Sequence, residues 1–286
     1  MTERHITACI DGSHFSTSVC DAAAWASRTL QAPLTFVHAI DRNARPAAAT
    51  DTTGQIGLGA REHLLAELAE LDEKRARVAR EEGRLMLDAA CERARADGVD
   101  APESRQRNGE LVETLTDMQD SIRLLVLGKR GESGETAHGH LGSNLERVIR
   151  SLACPILITP QNFTAPERIL ISFDGSATGQ RMIERVVAST LFAGVECHLV
   201  YVGDPSEQRR KDLDRAAEQL QGSCASVHSE ILGGEVEATL RDYKQRNAID
   251  MLVMGAYGHS RIRQLLVGST TTDMIRHAKL PLLIIR

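Results

Sequence analysis

Apolar residues along the chain fall into short dense runs, separated by longer stretches in which they recur every three or four positions. The runs are ITACI (6–10), LTFVHAI (34–40), LLVLG (124–128), PILIT (155–159), ILISF (169–173), HLVYV (198–202), MLVMG (251–255) and PLLII (281–285). Most do not alternate apolar with polar, so both faces of these strands must be covered. Strands of that kind, interleaved with helical stretches, predict parallel α/β sheets. The longest helical stretch is Glu62–Ala96, where Leu64, Leu65, Leu68, Leu71, Val78 and Leu85 keep helical spacing among Glu, Arg and Ala. It predicts a long amphipathic helix with a solvated face of mixed charge. The segment before it, NARPAAATDTTGQIGLG (43–59), has no period and reads as a loop.

The pattern occurs twice. ITACIDGS near the start matches RILISFDGS, which places Asp11 and Asp174 163 residues apart (174 − 11). His38 and Tyr201, in the next strand of each copy, keep that offset. Later pairs are closer: Gly128 and Gly255 are 127 apart, Pro155 and Pro281 126 apart. The chain is a tandem duplication whose first copy carries 163 − 127 = 36 extra residues between Asp41 and Gly109. The expected domains are 1–161 and 162–286, each an open, mostly parallel five-stranded sheet flanked by helices, the first with an extra loop and long helix at about 42–98.

In open parallel sheets, ligands bind at the carboxyl ends of the strands, where strand order reverses. Asp-Gly-Ser and the glycine segments both fall there. A glycine just after a strand lets the backbone turn sharply and approach a ligand. Gly-Ser-Thr opening a helix offers free N–H groups, hydroxyls and the positive end of the helix dipole, which suits an anion such as phosphate. Neither a Walker loop nor a Gly-x-Gly-x-x-Gly fingerprint is present.

Bulk properties narrow the partners. Net charge is −5, which argues against a broad nucleic-acid surface. No apolar stretch is long enough to span a membrane, and MTERHITACIDGS has no signal-peptide core. The six cysteines are scattered without a C-x-x-C pair, which fits reduced, buried thiols and a cytoplasmic location. His138 and His140 lack further ligands at metal-site spacing, the loop arginines Arg130, Arg261 and Arg263 read as solvated, and Trp25 reads as core.

The segment Gly255–Thr270 has the form Gly-x2-Gly-x9-Gly-Ser, through Gly255, Gly258, Gly268 and Ser269. With a strand-end Asp in the same repeat, this resembles the universal stress protein family in its tandem form. The resemblance implies an adenine nucleotide alpha hydrolase-like fold and binding of ATP, with magnesium allowed beside the phosphates. It implies that Asp174 and Val202 hold adenosine and that Gly255, Gly258, Gly268, Ser269 and Thr270 hold phosphate. The first copy has Asp11, Ala39, Gly128, Gly131, Gly142 and Ser143, but ten residues rather than nine separate Gly131 from Gly142. The second copy is therefore expected to bind more tightly. By the same resemblance the last strands, near 158–160 and 281–286, pair as across a family dimer, giving an internal pseudo-dimer and leaving a homodimer open. No general base is evident, so the expected role is a nucleotide-dependent stress regulator with little or no turnover, read by an unidentified protein partner. The alternatives are a scaffold with nucleotide in one half or neither, a slow ATPase, or autophosphorylation. An adenylating enzyme would need a Ser-Gly-Gly-x-Asp-Ser loop where DGSHFS and DGSATG stand.

Overall fold

The computed structural model describes residues 3–40, 58–129, 143–255 and 279–286, with backbone alone at 58–64 and 143. The loop expectation for 43–57 and the histidine and arginine readings at 130, 138, 140, 261 and 263 lie outside these residues. Among the described residues ten strands form one sheet: β1 (His5–Cys9), β2 (Leu34–Ile40), β3 (Glu103–Asn108), β4 (Ile122–Gly128), β5 (Ile156–Thr159), β6 (Arg168–Phe173), β7 (Glu196–Val202), β8 (Ser226–Leu232), β9 (Met251–Gly255) and β10 (Leu282–Ile285). Their order is β3-β2-β1-β4-β5-β10-β9-β6-β7-β8. The strands of each half are parallel, in the same 3-2-1-4-5 arrangement. The halves meet where β5 and β10 pair antiparallel, with Leu157 opposite Leu283. Two five-stranded sheets are thus one continuous sheet.

Helices cover both faces, as the dense apolar runs require. Along β4, Leu124 and Val126 pack to one face and Leu125 and Leu127 to the other. The first face carries α1 (Ser16–Leu30), α2 (Leu58–Ala96), α5 (Ala177–Val187) and α6 (Glu207–Leu220). The second carries α3 (Leu111–Asp117), α4 (Ser143–Ser151) and α7 (Val236–Arg246). Trp25 of α1 is half-buried and meets Phe163 of the inter-repeat connection, with ring centroids 5.6 Å apart.

The long helix locates the insertion. Leu87, Ala90, Cys91 and Ala94 of α2 are buried as Leu213, Ala216, Ala217 and Leu220 of α6 are, an offset of 126 (213 − 87). The last turns of α2 are therefore the ordinary crossover helix, and the extra residues lie between Asp41 and Gly83. Residues 58–82 extend that helix by about 37 Å at 1.5 Å per residue. The helix begins at Leu58, two residues inside the segment read as a loop.

Candidate functional site

The switch points lie between β1 and β4 and between β6 and β9. An Asp-Gly-Ser turn closes the first strand at each. Gly12 and Gly175 hold φ of +75° and +70°, where a side chain would clash with its own backbone. That bend returns the Asp side chain over the start of the next helix. Asp174 Oδ1 accepts bonds from the Ser176 amide (3.0 Å) and hydroxyl (2.7 Å). The Ser176 hydroxyl oxygen in turn accepts from the Gly179 amide at 3.0 Å, capping α5. Both bonds to Asp174 fall on Oδ1, and among the described residues no donor is placed on Oδ2. Asp11 is set similarly: its Oδ1 accepts from the Ser13 amide at 3.1 Å and the Ser16 hydroxyl at 3.5 Å. Burial, and then the Asp11 charge, push the Cys9 thiol far up, so it stays protonated beside the turn.

Gly255 ends β9 next to the Asp174 turn. A Cβ there would lie 3.5 Å from the Thr178 methyl of α5 and 4.0 Å from the Ile285 carbonyl, so this strand end fits closely between neighbours. Gly128 occupies the corresponding end of β4, paired with Thr159. Val202 and Ala39, both half-buried, end β7 and precede the end of β2. Asp174, Val202 and Gly255 are thus at the carboxyl ends of adjacent strands, as are Asp11, Ala39 and Gly128. Ser143 is the first residue of α4. Gly258, Gly268, Ser269, Thr270, Gly131 and Gly142 lie outside the described residues.

The surroundings of the two turns differ. In the second half, Tyr201 lies beside Gly175 (3.6 Å from its would-be Cβ), and the Arg209 guanidinium sits 5.3 Å from the ring centroid. In the first half the position of Tyr201 is His38, whose Nδ1–H donates to the Ile10 carbonyl at 2.7 Å. The position of Arg209 is Gly83, which α2 presses against His38 and Gln106. One turn on, the Met86 sulfur lies 2.7 Å from where a Gly12 Cβ would be. The first Asp-Gly-Ser turn is roofed by a thioether; the second is flanked by an aromatic ring and a cation.

Sequence reasoning found both aspartates and strand-end glycines but missed Ser176, Gly179, Tyr201, Arg209, His38 and Met86. Ser176 followed by Gly179 is readable as a cap with a small residue three places on. Met86 carries no signal of its own, since its role depends on how α2 docks.

Comparison with known proteins agrees with this arrangement. The model of the universal stress protein family matches residues 3–160 and again 166–286. Universal stress protein Slr1230 of Synechocystis is 35% identical over 286 residues, covering 99% of this chain and 100% of that protein. Universal stress protein Rv2005c of Mycobacterium tuberculosis is 23% identical over 72% of this chain and 77% of its own. In structure, a universal stress protein from Archaeoglobus fulgidus superposes with a TM-score of 0.67 at 18% identity, covering 99% of this chain and 96% of that one. With two tandem matches and an end-to-end relative at that identity, the chain belongs to the universal stress protein family, in its tandem form.

Proposed function

We propose that this protein is an ATP-binding stress regulator of the cytoplasm with little or no turnover. The observation that carries the reading is the second switch point: a carboxylate that, among the described residues, is anchored through Oδ1 alone, set beside a strand-end glycine and an apolar strand end. Asp174 Oδ2 is the acceptor for an adenosine hydroxyl or amine, and Val202 supplies apolar contact to the base. Gly255, Gly258, Gly268, Ser269 and Thr270 hold the phosphates, with magnesium beside them. Asp11, Ala39, Gly128, Gly131, Gly142 and Ser143 form the second, weaker site. Two observations support that ranking: Met86 lies against the first turn, and Ala39 offers less apolar surface than Val202. A bound nucleotide orders the glycine segments, and a protein partner reads that order.

Titration calorimetry with ATP on the wild type and on Asp174→Ala and Asp11→Ala tests both parts. Asp174→Ala should remove the tighter site and Asp11→Ala should leave it. The opposite result reverses the ranking, and unchanged binding in both variants ends the assignment.

A further inference from the structure

Apolar exposure is concentrated on one element. Among the described residues the exposed large hydrophobic side chains are Leu65 (57%), Leu68 (54%), Leu71 (43%), Val78 (52%) and Leu85 (55%), all on α2, and one other, Val187. The stripe follows heptad spacing. Leu68, Leu71, Arg75, Val78, Glu82 and Leu85 are separated by three and four residues in turn, the pattern of a two-helix seam. The stripe is not the face that docks on the body: Gly83, Leu87, Ala90 and Cys91 turn inward on another side of the helix.

The geometry points to a homodimer in which α2 pairs antiparallel with α2 of a second copy. The charges along the stripe choose the occupant and its direction. Antiparallel, Leu68 layers against Leu85 of the second copy, Leu71 against Glu82 and Arg75 against Val78. Outside the seam, Lys74 lies opposite Glu81, once on each side of the dyad, each also paired within its own helix, Lys74 with Glu70 and Glu81 with Arg84. The like-charge opposition of Glu67 and Asp88 is also repeated on each side of the dyad, and Asp88 there already accepts from Arg84 of its own helix at 2.9 Å. A parallel pair in register sets Arg75 against Arg75, Glu82 against Glu82 and Glu67 against Asp72, with no compensating pair. The seam from 65 to 88 is roughly 36 Å long at 1.5 Å per residue. This surface is separate from the junction strands β5 and β10, and the inference does not depend on nucleotide binding.

Light scattering coupled to size exclusion across a concentration series, with circular dichroism as the folding control, is the test. The wild type should dimerise. Leu71→Glu/Val78→Glu, at exposed positions, should fold normally and raise the dimer dissociation constant by about 100-fold or more. Lys74→Glu sets like charges opposite one another twice and should weaken the dimer about tenfold; adding Glu81→Lys should restore it. In a parallel pair Lys74 faces Ala79, so Lys74→Glu would change little. A monomeric wild type, a dimer indifferent to Leu71→Glu/Val78→Glu, or a Lys74→Glu variant as tightly associated as the wild type each overturns the proposal.

Discussion

Replacing Gly179 by alanine separates the stability of the second Asp-Gly-Ser turn from its ligand chemistry. A Cβ at this position would lie 2.6 Å from Asp174 Oδ1 and 3.3 Å from the Phe173 ring. Phe173 is 3% exposed and held in the core, so the carboxylate is what moves. Reaching an ordinary contact of 3.4 Å displaces it by about 0.8 Å, enough to break its bonds to Ser176. A single bond to a charged acceptor is worth about 1.5–3 kcal/mol, and the two here join one serine to one oxygen, so the pair together is worth about 3 kcal/mol. Asp174 is half-buried, so water regains part of that, leaving a loss of roughly 1–2 kcal/mol. Alanine in a helix recovers up to about 1 kcal/mol over glycine. The two nearly cancel, so the melting temperature should move by no more than about 2–4 °C. On the proposed reading affinity has no such offset, because Oδ2 is moved away from the nucleoside it would hold. ATP should bind about tenfold more weakly, about 1.4 kcal/mol. Calorimetry beside a thermal melt reads both quantities. An ATP dissociation constant within about twofold of the wild type, in a variant that melts cooperatively, would show that the Asp174 carboxylate does not touch the ligand.

Three other outcomes are expected. Leu157→Ala removes a fully buried side chain at the centre of the β5–β10 pairing and should cost about 2–5 kcal/mol in urea unfolding; a loss below about 1 kcal/mol would mean the junction is loosely packed. His198 is buried beside Glu196 (3.0 Å) and Tyr243 (2.9 Å), and burial holds its pKa below the ordinary value. The unfolded chain therefore takes up this proton first as pH falls, so the stability His198 contributes is full above about pH 6.5 and lost below it. The urea midpoint should drop between neutral and mildly acid pH, less so in His198→Gln; an equal drop in both would assign the effect elsewhere. Steady-state phosphate release should stay well under about 1 s⁻¹, and turnover at that rate would reveal a base that the motifs do not contain.

The interior of the sheet was legible because its strands are apolar on both faces. The edges were not. β3 (ESRQRN) and β8 (SVHSEIL) are polar or alternating, as suits strands that among the described residues pair on one side only. The duplication showed that residues had been inserted but bracketed them only between Asp41 and Gly109; burial of Leu87 and Leu213 at equivalent places narrows this to before Gly83. The aspartates were readable from composition and position, because Asp-Gly-Ser after a strand forces a bend. The asymmetry around them was not, because it arises from a helix that docks from far along the chain. The exposed leucines of α2 were read as part of an amphipathic pattern, yet among the described residues their apolar face stays exposed.

The antiparallel join of β5 and β10 sets the direction of everything attached to it. Strands of the first half run one way and those of the second run the other, so their carboxyl ends emerge from opposite rims of the sheet. The molecule is two-headed: its two Asp-Gly-Ser turns open on opposite rims of one sheet. Five strand spacings of about 4.8 Å put β1 and β6 roughly 24 Å apart, so influence between the heads must pass through the packed sheet rather than across a shared cleft. Because α2 rises from the first rim alone, a pair of molecules clasped through it turns the two first-half heads toward each other and leaves the two second-half heads at the far ends.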